Sequence, residues 1–122
     1  MKILYIGNLN DVHNFKWMSF FSKKGIEIFA TFEEEKGSSL KNEVIGKYSE
    51  LGIKILSPIT TFSILNPANT IKSIRFLNNQ IEKNKIDFVH MLFATHSLYG
   101  PFLKKPFFTT SRGSDILIFI PV

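Results

Sequence analysis

The chain has 122 residues, a length that fits one domain with a substantial hydrophobic core. Its 44% hydrophobic and 20% charged residues are typical of a folded globular domain and exclude intrinsic disorder, while the absence of cysteine excludes disulfides and thiolate metal sites. Neither a membrane-length apolar run nor a signal-peptide core stands in the sequence, so we expect a cytoplasmic protein.

The formal net charge of +5 predicts an anionic partner, which could be a phosphorylated substrate, an anionic membrane face or nucleic acid. The lysines are scattered and form no dense basic run, so nucleic acid is the least favoured of the three. A second interpretation stays open, in which the lysines only keep helix surfaces solvated.

The hydrophobic pattern of the first half alternates between strand-like and helix-like segments. It predicts a strand over Lys2–Gly7, a helix over Asn14–Lys24, a strand over Ile26–Phe32, a loop over Glu33–Ser39, a helix over Leu40–Leu51 and a strand over Ile53–Leu56. Gly25 and Gly52 stand where a left-handed residue ends a helix. The predicted buried stripe of the first helix consists of Phe15, Met18 and Phe21, widened by Trp17 and Phe20.

The second half continues the alternation. Asn66 and Pro67 predict the N-cap and first turn of a helix that runs to about Lys83. Its predicted inward residues are Ile71, Ile74, Leu77 and Ile81. Strands over Ile86–Leu92 and Phe107–Ser111 follow, with a short helix near Ser97–Lys104 between them.

This order of elements predicts a Rossmann-like, three-layer α/β domain with a parallel sheet. The long connection after the third strand suits a crossover to the other side of the first strand. We therefore predict the strand order 3-2-1-4-5, with a switch point between strands one and four, where such sheets bind ligands.

Polar residues of unusual character follow the predicted strands. They are Gly7, Asn8, Asn10, Asp11 and His13 after the first, Glu33, Glu34 and Glu35 after the second, His96 after the fourth, and Arg112, Gly113, Ser114 and Asp115 after the fifth. Because the carboxyl ends of parallel strands share one edge of the sheet, we expect a binding site at this edge. Its candidate residues, with no metal site and no catalytic residue among them, are Gly7, Asn8, His13, His96, Arg112, Gly113, Ser114 and Asp115.

Each candidate in the first loop has a plainer interpretation beside the functional one. Gly7 either allows a tight turn or lies close to a phosphate or sugar. Asn8 and Asp11 are ordinary turn formers, and Asp11 could begin the first helix. His13 either donates to a loop carbonyl or contacts a ligand.

The other histidines and the glutamates also have a plainer interpretation beside a functional one. His90 lies inside a predicted strand, where a hydrogen-bonded core histidine is expected, so His96 is the better candidate for substrate contact. The three consecutive glutamates are expected to form a solvated loop.

The segment Arg112-Gly113-Ser114-Asp115 could bind an anion. Arg112 offers a planar cation for phosphate or carboxylate, and Gly113 lets the backbone approach a ligand closely. Asp115 could hold Arg112 or accept from a sugar hydroxyl. The alternative is a turn closed by an internal Arg–Asp pair.

Several sequence signatures are missing. There is no Gly-x-Gly-x-x-Gly after the first strand, which disfavours a dinucleotide dehydrogenase. The sequence also has no Walker lysine loop, no Gly-x-Ser-x-Gly elbow and no histidine pair at metal-ligand spacing.

Three segments carry a resemblance to a known family. They are Lys2–Gly7 with His13, Lys16 and Trp17; Ile86–Leu92 with Gly100; and Pro106–Asp115. Together they resemble the N-terminal domain of GT-B glycosyltransferases of the retaining, family 4 type. Many relatives carry histidine where this chain has Arg112, so a role assigned to that histidine does not transfer.

The resemblance implies a two-domain transferase whose N-terminal half binds the acceptor, a cell-envelope glycan or lipid-linked saccharide. A nucleotide sugar would be the co-substrate, with no other cofactor. The Gly7-Asn8 loop would lie near the donor diphosphate or the acceptor, and Arg112–Asp115 would face the interdomain cleft.

The family's donor-binding C-terminal domain does not follow, so we expect a truncated N-terminal half without turnover of its own. The apolar tail Ile116–Val122 and a free sheet edge predict self-association. The basic charge fits peripheral contact with an anionic membrane. Two alternatives remain: a non-catalytic Rossmann- or flavodoxin-like ligand-binding module, and a phosphate-dependent sugar enzyme of the same architecture.

Overall fold

The computed structural model describes residues 1–33, 42–60, 62–92 and 94–109. Its elements are β1 (Lys2–Ile6), α1 (Val12–Lys23), β2 (Glu27–Thr31), α2 (Asn42–Glu50), β3 (Lys54–Ile55), α3 (Pro67–Asn84), β4 (Phe88–Met91), a 3-10 helix (Ala94–Phe102) and β5 (Phe107–Thr109). Each predicted strand and helix is present, with ends that differ by a few residues. Among the described residues, no helix is both long enough and apolar enough to cross a bilayer.

The five strands form one parallel sheet in the order β3-β2-β1-β4-β5, which confirms the predicted order and the Rossmann-like α/β fold. The central strand β1 pairs with β2 on one side and β4 on the other, so that Tyr5 lies between Ala30 and His90. The direction of winding therefore changes between β1 and β4, at the predicted switch point.

The sheet carries a buried cluster on each face. One contains Leu4, Ile6, Phe29, Leu77, Ile81 and Tyr99, and the other contains Ile3, Tyr5, Met18, Ile28 and Tyr48. Successive residues of β1 alternate between the two clusters because side chains of a strand point to opposite faces. Both faces are covered, which explains why β1 reads as a continuous apolar run.

All three α-helices end in the same motif, in which an isoleucine N–H donates to the carbonyl five residues earlier. These hydrogen bonds are Ile26 to Phe21 at 3.3 Å, Ile53 to Tyr48 at 3.1 Å and Ile86 to Ile81 at 3.0 Å. The residue before each isoleucine is left-handed: Gly25 (φ 85°), Gly52 (φ 74°) and Lys85 (φ 55°). The two glycines confirm the predicted helix ends, and Lys85 was not predicted because lysine rarely adopts this conformation.

The prediction that Trp17 and Phe20 lie in the buried stripe of α1 is wrong. Trp17 and Phe20 are 44% and 55% exposed, whereas Met18 is buried as predicted and Asn14 is buried as well. Asn14 can occupy a buried position because its Nδ2 donates to the Asn8 carbonyl at 3.0 Å. Helix α1 also begins at Val12, two residues before the predicted start.

Two expectations for α3 also need correction. Ile71 is 48% exposed rather than inward, and the buried positions of this part of the helix are Thr70 and Ser73. Asn66 precedes the helix as predicted, but its side chain makes no capping hydrogen bond, and Pro67 occupies the first turn.

The predicted helix near Ser97–Lys104 begins earlier, as a 3-10 helix from Ala94. Leu40 and the tail Ile116–Val122 lie outside the described residues.

Candidate functional site

The floor of the candidate site lies where β1 and β4 end side by side. The Gly7 N–H donates to the Thr31 carbonyl at 3.2 Å, and the Leu92 N–H donates to the Ile6 carbonyl at 2.9 Å. Both Gly7 and Leu92 are buried. A Cβ on residue 7 would stand 2.7 Å from the Leu92 Cβ, so glycine is required here for packing against the protein's own core.

The loop after Gly7 is held in shape by its own hydrogen bonds. The Asn8 Oδ1 accepts from the Asn10 N–H at 3.0 Å, and the Asn8 carbonyl accepts from the Asp11 N–H at 3.3 Å. From the opposite side, the Tyr48 hydroxyl donates to the carbonyl of buried Leu9 at 2.9 Å. The loop therefore presents Asn8 and Asn10 to solvent on a fixed backbone.

Asp11 caps α1, which confirms that it begins the first helix. Its Oδ1 accepts from the His13 N–H at 2.8 Å, and this places a carboxylate at the positive end of the helix. Burial, with a smaller contribution from Asp11, raises the pKa of the Tyr48 phenol well above its usual range. A second anion at this helix end would meet the Asp11 charge, so the loop suits neutral polar ligands better than phosphates.

Exposed polar side chains of three residues border the switch point. Asn8 and Asn10 lie in the loop and His13 lies in the first turn of α1. The bond from Asn10 uses the Asn8 Oδ1, which leaves the Asn8 Nδ2 as a donor. Amide and imidazole groups can both donate and accept hydrogen bonds, which is what a ligand rich in hydroxyl groups requires.

Of the predicted site residues, the structure places Gly7, Asn8 and His13 at the junction of β1 and α1, Gly7 and Asn8 in the connecting loop and His13 in the first turn of the helix. His96 lies in the 3-10 helix that follows β4, at the same edge, but its side chain is outside the described part of the chain. Arg112–Asp115 and the glutamates at 34 and 35 are also outside it. Their meeting with the first loop stays a prediction.

Comparisons with known proteins bear on this arrangement. A model of the family described as glycosyl transferase 4-like matches residues 2–121. The chain belongs to this family. The match confirms the resemblance that the three sequence segments carried. Comparison with curated proteins found no match.

A solved structure with a similar fold is the complex of leucoanthocyanidin reductase with NADPH from Vitis vinifera. It aligns with a TM-score of 0.55 at 12% sequence identity, covering 80% of this chain and 28% of the solved chain. At this identity the similarity shows the fold alone. This glycosyl transferase 4-like chain thus spans less than a third of that protein's length.

His90 of this glycosyl transferase 4-like chain is a core residue rather than a ligand-binding one, as its position in a strand predicted. It is 2% exposed, and its ring lies 4.8 Å from that of Tyr5 and 6.2 Å from that of Trp17. Burial lowers the pKa of His90 to about 4. Within the described ranges, no group of three histidine or acidic side chains could hold a metal ion.

The segment between β3 and α3 forms a second part of this edge that no sequence motif predicted. Ile59 forms a parallel bridge with Glu33, and the Thr31 Oγ1 donates to the Ser57 carbonyl at 2.7 Å. These contacts extend the edge beyond β2 and β3. The residues that make these contacts are distant in sequence, so no local motif predicts them.

Proposed function

We propose that this chain is the acceptor-binding N-terminal half of a glycosyltransferase. The enzyme would transfer a sugar from a nucleotide-sugar donor to a cell-envelope glycan or lipid-linked saccharide. Family membership over residues 2–121 supports the reaction class. The observation that carries the acceptor role is the exposed group of Asn8, Asn10 and His13 on a hydrogen-bonded loop at the switch point.

The electrostatics of this loop favour an acceptor over a donor phosphate. A saccharide presents hydroxyls that both donate and accept, which matches the Asn8 amide and the His13 imidazole. The Asp11 carboxylate already occupies the α1 N-terminus, where a diphosphate would otherwise bind. We therefore assign acceptor hydroxyls to this loop, together with His96 from the segment after β4.

The donor phosphates are assigned to Arg112–Asp115 and to a second domain. A guanidinium binds phosphate through two parallel hydrogen bonds, and Gly113 removes a side chain from the approach. The nucleotide sugar is the co-substrate and needs no further cofactor. Turnover requires a second domain that closes over the donor.

The test is a transfer assay with the complete gene product, a panel of nucleotide sugars and extracted envelope acceptors. We expect Asn8→Ala and His13→Ala to raise the acceptor KM about tenfold each while the donor KM stays unchanged, because each removes one hydrogen bond to the acceptor. Arg112→Ala should raise the donor KM instead. Asn79→Ala, an exposed asparagine on α3, is the matched control.

Two results would overturn the proposal. Unchanged acceptor KM in both loop variants would remove the loop from the site. Saccharide or nucleotide binding with no transfer from any donor would favour the alternative, a non-catalytic ligand-binding module. Self-association through the sheet edge or the tail is a separate prediction, and light scattering that finds a monomer at every concentration would contradict it.

A further inference from the structure

Two aliphatic side chains project into solvent at the edge of the sheet where the candidate site lies. Between β3 and α3, residues 62–66 form a loop, called here the 62–66 loop, that carries Ile64 and Leu65. Their side chains are 87% and 97% exposed, more than any other large hydrophobic residue in the described part of the chain. Adjacent aliphatic side chains with this exposure are unfavourable on a surface that contacts only water.

The 62–66 loop begins at the carboxyl edge of the sheet. It follows β3 and precedes α3, whose other end leads into the start of β4. Because β3 and β4 are parallel, α3 must run from the carboxyl edge back to the amino edge. The 62–66 loop and the loop after β1 therefore lie on the same side of the domain.

Hydrogen bonds to α3 hold the 62–66 loop in place. The Thr70 Oγ1 accepts from the Ser63 N–H and donates to the Ser63 carbonyl, both at 3.0 Å. The Ser63 Oγ in turn accepts from the Leu65 N–H at 3.2 Å. Just before the loop, the Thr60 N–H donates to the Ser73 Oγ at 3.0 Å. The polar residues that replace apolar ones on the buried face of α3 thus anchor this loop.

Aromatic packing supports the base of the loop. The Phe62 ring lies 5.2 Å from the Tyr99 ring and 5.9 Å from the Phe102 ring. The Tyr99 hydroxyl donates to the Thr60 carbonyl at 2.5 Å. The base of the loop is therefore packed against the core, while Ile64 and Leu65 at its tip are exposed to solvent.

The charged side chains of the chain segment that carries the tip are all cations, while Glu33 lies beside Ile59 just before the loop. From Leu51 to Ile81 the sequence contains no aspartate or glutamate. Lys72 and Arg75, both exposed, lie on the first half of α3, which starts two residues after the tip. Ile71 adds a half-exposed aliphatic side chain there. Apolar side chains on a cationic segment are what an anionic lipid surface attracts.

We propose that the 62–66 loop docks on an anionic membrane surface. Ile64 and Leu65 enter the boundary between headgroups and acyl chains, and Lys72 and Arg75 face the lipid phosphates. A bilayer suits this tip better than a protein partner does, because two side chains cover far less than the roughly 1,200 Å² that a stable protein interface buries. Docking would turn the carboxyl edge of the sheet toward the bilayer.

The test is co-sedimentation of the full chain with phosphatidylcholine vesicles prepared with and without phosphatidylglycerol. We expect binding only to the anionic vesicles. The variant Ile64→Ser with Leu65→Ser should weaken it by about tenfold or more, since two aliphatic side chains leave the interface. Ile45→Ser, which removes an exposed isoleucine from α2, should bind like the unaltered chain.

A second pair of variants tests the electrostatic contribution. Lys72→Gln with Arg75→Gln should lower binding on the order of tenfold, because each basic residue near the surface contributes attraction to anionic lipid. Lys16→Gln with Lys23→Gln removes the same charge from α1 and should retain most of the binding. All eight positions altered in these tests and the next are exposed, and circular dichroism checks that the variants fold.

Insertion has its own readout. In Leu65→Trp with Trp17→Phe, the single tryptophan should shift its emission to the blue with anionic vesicles. No binding by the unaltered chain, or equal binding by the double serine variant, would overturn the proposal. So would dimerisation that the double serine variant abolishes, because the loop would then be an interface between copies. These assays measure no sugar transfer, so their outcome is independent of the proposed function.

Discussion

Gly7 and Leu92 meet at the point where the winding of the sheet changes direction, in a contact that leaves no room for a side chain on residue 7. A Cβ there would lie 2.7 Å from the Leu92 Cβ and 2.8 Å from its Cδ1. The two residues follow the adjacent strands β1 and β4, so their contact fixes the floor from which the loop after β1 departs.

Replacement of Gly7 by alanine should therefore destabilise the fold. We expect Gly7→Ala to lower the free energy of unfolding by about 1–3 kcal/mol, because Leu92 and the strand ends must shift. Gly46→Ala is the control with the opposite sign. Gly46 is exposed inside α2 with no atom near its Cβ position, so alanine should add up to about 1 kcal/mol of helix stability. Urea unfolding measures both, and equal stability of the two variants would contradict this view.

The buried tyrosines offer a second matched pair. Tyr48→Phe should cost about 1–2 kcal/mol, because the buried Leu9 carbonyl loses its 2.9 Å hydrogen bond. Tyr5→Phe should be neutral or slightly stabilising, since the Tyr5 hydroxyl is buried with no hydrogen-bond partner among the described residues. Thermal unfolding compares the two. A larger loss of stability for Tyr5→Phe than for Tyr48→Phe would contradict the assignment of a hydrogen bond to the Tyr48 hydroxyl and none to the Tyr5 hydroxyl.

Lys85 stores backbone strain at the end of α3. Its φ of 55° is left-handed, which costs a residue with a Cβ about 1 kcal/mol relative to glycine. We expect Lys85→Gly to raise the free energy of unfolding by about that amount. Lys83→Gly, inside the last turn of the same helix, removes the same charge and should lower it. Denaturant titration at one salt concentration distinguishes them; a loss of stability in both variants argues against strain at Lys85.

His90 predicts how stability depends on pH. Its folded-state pKa is about 4, compared with 6.5 when unperturbed, because burial penalises the imidazolium. Above pH 6.5 both states are neutral at this group. As the pH falls toward 4, the unfolded chain binds a proton that the folded chain does not. The free energy of unfolding should then fall, on the order of 3 kcal/mol by pH 4 from this group.

Urea unfolding between pH 7 and pH 4 measures this dependence. His90→Phe should flatten the decline, since it removes the titrating group. An unchanged slope in His90→Phe would mean that other groups govern the acid sensitivity.

The strand order could be predicted because alternating strands and helices leave few parallel arrangements, and the long connection after β3 requires a crossover. Two of the three helix ends were equally predictable, since Gly25 and Gly52 mark left-handed positions. The end of α3 was not predictable, because Lys85 adopts there the left-handed conformation that glycine normally adopts.

Burial within α1 was harder to predict. Aromatic residues at positions 15, 17, 20 and 21 surround most of the helix, so periodicity alone could not distinguish the inward side from the outward one. The anchoring of the 62–66 loop depends on Thr60 and Ser73, which pair across 13 residues and belong to no motif. Such contacts become visible only when the elements are packed.

The central claim is that saccharide acceptors bind the loop after β1. Amide chemical-shift mapping of the full chain with a panel of hexoses and hexosamine disaccharides tests it most directly. We predict that a binding saccharide perturbs the amides of Asn8, Asn10 and His13, at the carboxyl edge of the sheet. Perturbations confined to the amino edge, around Ile26 and Ile86, or none with any saccharide, would contradict the claim.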